Sequence, residues 1–132
     1  MINELVKRKI PILKGEEIEE REVGFYFGVI ILKYVESEMG MEITDLADSF
    51  KDIKKNISKG FDTVIRFLYC AHKSWMVLQE KDPEITENNL WFAFGEMGNE
   101  EFLALFAEGL GKLTDSVSKV EEVNPKMPSP KS

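Results

Sequence analysis

Nucleophilic or metal chemistry needs particular side chains at reachable spacings, and this chain carries few of them. His72 is the one histidine and Cys70 the one cysteine, both at the end of the apolar run Phe67-Leu68-Tyr69-Cys70-Ala71-His72. A thiolate–imidazole dyad requires the two to face each other, but residues two apart on a helix project in different directions. A single histidine also rules out the H-E-x-x-H zinc site and any metal set with two imidazoles. Cys70 therefore reads as a small hydrophobe and His72 as a packed or surface-edge residue of a helix. The acidic run Glu16-Glu17-Ile18-Glu19-Glu20-Arg21-Glu22 could supply paired carboxylates, yet it lacks the alternating pattern and glycine of a calcium loop, so it reads as a solvated face. The string Gly109-Leu110-Gly111-Lys112-Leu113-Thr114 is like the end of a phosphate-binding loop. However, Phe106 stands where the first glycine belongs and Leu113 where a magnesium-binding hydroxyl belongs. No catalytic, cofactor-binding or metal-binding residue is expected, and the chain reads as a non-enzyme.

Aromatic side chains are the other notable resource. Trp75, Trp91, Phe92, Phe94, Phe102 and Phe106 crowd the second half of the chain. Most would fill a core, but Trp91, Phe92 and Phe94 cannot all point inward from one short helix. Trp91, Phe92, Phe94, Phe102 and Phe106 are the candidate partner-binding residues.

The elements that would position them follow from periodicity. Residues 1–22 read as an extended or turn-containing arm, with a short hairpin about Gly15 as one form of it. Residues 23–39 read as a helix ended by Gly40, although Phe25, Tyr26, Phe27, Val29, Ile30 and Ile31 also suit a strand. Within this segment Gly24 and Gly28 form a G-x-x-x-G pair, either a close helix–helix contact or glycines tolerated in a buried helix. Thr44 can cap a helix with Leu46, Phe50, Ile53 and Ile57 on one stripe, acids in its first turn and Lys51, Lys54 and Lys55 near its end. The longest pattern, Phe61 to Glu80, is apolar around much of its circumference and belongs at the centre, stopping at Asp82-Pro83. Thr86 caps a short helix that stops near Gly95 to Gly98, and Asn99 caps another that carries Phe102, Leu105, Phe106, Leu110 and Leu113 and ends in glycines.

The expected fold is all-α: one compact helical domain of about five helices over residues 23–115, an arm over 1–22 and a disordered tail over 116–132. At 132 residues and 43% hydrophobic content, one core is affordable and two are not. A formal net charge of −7 and a pI of about 4.8 would repel a phosphate backbone, so nucleic acid is not an expected partner. The N-terminus does not read as a signal peptide, and the apolar window Val23 to Leu32 is too short to span a bilayer. With no disulfide framework, a reducing, cytoplasmic setting is expected.

These segments, in this order, resemble the short tail assembly chaperones of long-tailed bacteriophages. The likeness runs over residues 23–113 and is one of pattern and order. It comprises Phe25-Tyr26-Phe27-Gly28 after a polar arm, Glu36-Ser37-Glu38-Met39-Gly40 closing a helix, the helix from Thr44 and the central stretch Phe61 to Ala71. It continues through Pro83-Glu84-Ile85-Thr86-Glu87 and the final helix from Phe102 to Leu113. The resemblance implies an all-helical acidic protein made in the host cytoplasm and absent from the mature virion. Such a protein holds the tape measure protein while tail tube subunits polymerise around it. A longer frameshifted form is common in the family, which defines no catalytic residues. The alternative is a small acidic helical regulator or inhibitor that binds one enzyme through the Trp91 to Phe106 region. Either the Gly24/Gly28 face or the aromatic set could also meet a second copy of the chain.

Overall fold

The computed structural model describes residues 2–52 and 57–123. It opens with an antiparallel hairpin, β1 (Leu5–Lys14) and β2 (Glu17–Tyr26), followed by the short helix α1 (Ile31–Tyr34), which continues as a π-helical turn over Val35–Met39. Then come α2 (Ile43–Asp52), α3 (Ile57–Leu78), α4 (Glu87–Met97) and α5 (Asn99–Val123). With a two-stranded antiparallel sheet beside five helices among the described residues, the fold is α+β, which overturns the all-α expectation.

Charge and turn chemistry make the hairpin. Lys7, Arg8, Lys9 and Lys14 lie on one strand, and Glu17, Glu19, Glu20 and Glu22 on the other. The register sets Lys14 opposite Glu17 and Lys9 opposite Glu22, pairings that stabilise this alignment over a slipped one. The two-residue turn places Gly15 first, at φ +62°, a conformation that costs glycine little and that suits the twist of a tight hairpin. Phe27 N–H donates to the Glu4 carbonyl at 2.9 Å, extending the ladder and fixing its phase. Every second pair, among them Lys7↔Gly24, Lys9↔Glu22 and Pro11↔Glu20, therefore turns its backbone groups outward. Pro11, which has no N–H, sits in such a pair and costs the ladder nothing.

Residues 23–27 are thus strand and strand exit rather than helix. Val23, Gly24 and Phe25 are all buried, so β2 shows no polar–apolar alternation there. Only from Ile31 does the helix begin, and it closes at Gly40. Neither glycine of the G-x-x-x-G pair is helical. A Cβ on Gly24 would stand 2.6 Å from Cδ1 of Trp75, and one on Gly28 would run into the Tyr26 ring. Each glycine admits an aromatic side chain.

In α2, Thr44 lies inside the first turn. Asp45 does the capping instead, accepting from the Glu42 N–H at 3.0 Å through Oδ2. Leu46 is fully buried, whereas the side chains of Phe50 and Ile57, and all of Ile53, Lys54 and Lys55, lie outside the described residues. The centre of the domain is α3, which packs against β2, α1, α2, α4 and α5. Phe61, Val64, Ile65, Phe67, Leu68 and Ala71 form its buried stripe. The start of α4 is fixed by a capping box in which Thr86 and Asn89 exchange side-chain and backbone bonds at 3.1 and 2.9 Å.

The last helix is longer than its sequence suggests. α5 does not end in glycines near Leu113 but runs on through Ser116 and Val117 to Val123, over ground expected to be a disordered tail. Residues 124–132 of that expected tail lie outside the described residues. Gly109 is the packing reason a glycine stands mid-helix. A Cβ there would collide with the Phe27 ring, itself fully buried against Phe67. Gly109→Ala should therefore destabilise the protein by about 1–2 kcal/mol, overpacking outweighing the roughly 1 kcal/mol gain in helix propensity. A urea midpoint equal to or above that of the parent would refute this reading of Gly109.

Candidate functional site

The two residues best suited to chemistry are built into the core. His72 is fully buried on α3. Its Nδ1–H donates to the Gly24 carbonyl at 2.9 Å, and its Nε2 accepts from the Glu84 N–H at 3.0 Å. These partners assign the neutral tautomer with the proton on Nδ1. Burial holds the imidazole's pKa below its ordinary value, against smaller opposing effects of the Gly24 bond and the Glu84 charge. With both nitrogens engaged, the ring ties the outer edge of β2 to the loop after α3. It has no free nitrogen to act as a base.

Cys70, 1% exposed, is equally unsuited to attack. Burial pushes its thiol up to about 12, and the charges of Glu38 and Glu87 push the same way. A thiol so held carries almost no thiolate at neutral pH. Lys112, which a phosphate loop would need, instead donates from Nζ to the Asn3 carbonyl at 2.8 Å, tying α5 to the N-terminus. Among the described residues, no group of three or more His, Cys, Asp or Glu side chains converges as a metal site would require.

The five aromatic candidates separate. Phe102 and Phe106 are buried, and in this fold neither presents surface to a partner. Phe106 meets Phe67 edge to face at 5.2 Å, and Phe102 meets Phe94 at 5.5 Å. Phe94, half-buried, is also held by Phe61 at 4.5 Å. Trp91, 36% exposed, keeps the most surface of the five, and Phe92, like Phe94, is half-buried. Adjacent positions on α4 do face different ways, but the inward ones find one continuous aromatic cluster.

A second apolar surface was not among the sequence candidates. Val29 after β2, Leu78 at the end of α3 and Val120 on α5 are 38%, 47% and 43% exposed. They line one groove of about 330 Å³ with Tyr26, Ile30 and Ser116. Glu4 and Lys119 stand at its margin, 3.8 Å apart. Such a convergence of apolar side chains on an acidic protein is the usual mark of a binding surface. Its signal in the sequence was the spacing of Leu113, Val117 and Val120, which continues the α5 stripe past the glycines. Among the described residues, no helix is long and apolar enough to cross a membrane. No family model, curated protein or solved structure matches the chain.

Proposed function

We propose that the chain is an assembly chaperone of a long-tailed bacteriophage. In this reading it is made in the host cytoplasm, is left out of the mature virion, and holds the tape measure protein while tail tube subunits polymerise around it. The order of its helical segments from Ile31 onward supports this, as does a charge of −7 that keeps a complex with an aggregation-prone partner soluble. The hairpin departs from the all-helical pattern. The observation that carries the reading is the apolar groove between Val29, Leu78 and Val120. A helix of the partner can lay its apolar face there, and Trp91 offers a second contact.

The test is co-expression with the neighbouring tape measure protein. The native chain should move most of that protein into the soluble fraction. Leu78→Glu with Val120→Glu, both at exposed positions, should abolish the effect while leaving the chaperone folded. A tape measure protein whose solubility is unchanged by the native chain would end the proposal.

A further inference from the structure

The hairpin has two edges, and a helix lies beside each strand: α4 beside β1 and α3 beside β2. On β2, the outward carbonyl of Gly24 is taken up by His72. The outward backbone groups of Ile18, Glu20 and Glu22 bond to no other segment among the described residues, and all three residues are exposed. An unpaired row of alternating donors and acceptors is a template for another strand.

The charge around this edge states what kind of strand fits. Glu17, Glu19, Glu20 and Glu22 line β2, and its one cation, Arg21, is held by Glu19 at 2.9 Å and by the Glu84 carbonyl at 3.2 Å. Ile18, Glu20, Lys9 and Pro11 belong to one face of the ribbon. That face forms one wall of a concavity of about 580 Å³, closed on the other side by Glu96, Met97 and Glu101 where α4 meets α5. Three carboxylates face it against the single ammonium of Lys9. Side chains directed there from an added strand would meet net negative charge with apolar contact from Ile18, Pro11 and Met97. A second copy of the chain is a poor occupant, because pairing β2 with β2 sets carboxylates against carboxylates.

We propose that the β2 edge from Ile18 to Glu22 docks an extended, lysine- or arginine-bearing segment of a partner protein, which joins the hairpin as a third strand. This site is separate from the groove around Leu78 and stands or falls independently of the chaperone reading.

The isotope-labelled full chain, titrated with the capped peptide KVKTKVKT, provides the test. The peptide should slow amide hydrogen exchange at Ile18, Glu20 and Glu22, and weaken with added salt. Analogues N-methylated at every second amide, prepared in both phases, should include one that binds about tenfold more weakly, having lost the bonds to the edge. The acidic peptide EVETEVET should not bind. Glu20→Lys with Glu96→Lys, at exposed positions outside the charged cross-strand pairs, should abolish binding of KVKTKVKT. If both methylated analogues bind as well as the parent peptide, or if the three amides gain no protection, strand addition is overturned.

Discussion

Phe67→Ala is expected to remove about 3–5 kcal/mol of folding stability, among the largest losses available from a single side chain here. Phe67 is fully buried at the middle of α3, with the Phe27 ring 5.7 Å away and the Phe106 ring 5.2 Å away. It joins the strand exit to the last helix, so truncation empties a space that three elements share. None of them can close it without giving up its own packing, which is the condition under which cavities cost most. A domain of this size has only about 5–15 kcal/mol to lose. Trp91→Ala, at a site more than a third exposed, should cost under about 1 kcal/mol. Urea unfolding of the two variants at matched pH checks both figures. Equal midpoints would mean that Phe67 is not the junction described.

The same contrast explains how the candidate site was legible and where it was not. Helical spacing identified most of the buried stripe of α3 and the Thr86 cap of α4, because local chemistry decides them, but it also counted Val77 and Leu78, which are exposed. Thr86 and Asn89 need only each other to start α4. It could not separate Phe102 and Phe106 from Trp91, since which aromatic faces inward depends on what packs opposite. The groove escaped notice because Val29 fell in a segment read as helix and Val120 in one read as a disordered tail. Only the fold brings them to Leu78.

A hairpin about Gly15 is one reading of the arm and is what the chain forms, but the run of β2 on to Tyr26 reads as helix for a related reason. Alternation reveals a strand when one face is wet, and Val23, Gly24 and Phe25 are buried together because Trp75 packs onto the Gly24 side. The readable sign of the hairpin was electrostatic, a basic strand facing an acidic one across Gly15. An acidic run taken as a solvated face was half of that pattern.

His72 is where burial and hydrogen bonding combine into a pH dependence. In the unfolded chain its imidazole takes up a proton near the ordinary value of about 6.5. In the folded protein burial opposes protonation and lowers the pKa, and the Glu84 charge only partly offsets this. A proton on Nε2 would also face the Glu84 N–H, donor against donor. Between the two pKa values the unfolded state binds more protons, so stability rises with pH across that window. The contribution is complete above about pH 6.5 and is lost as pH falls toward the folded-state value. Because His72 is the only histidine, the slope of unfolding free energy just below about pH 6.5, above the range in which carboxylates titrate, belongs chiefly to it. His72→Gln, which can donate to Gly24 and accept from Glu84 without titrating, should flatten that slope. His72→Leu should also flatten it, but at a cost of about 3 kcal/mol, because it strands two backbone groups that the ring had joined. Urea titrations of the three proteins across this range decide the matter. A slope that survives in the glutamine variant would place the titrating group elsewhere and leave His72 a neutral tie between β2 and the loop that leads into α4.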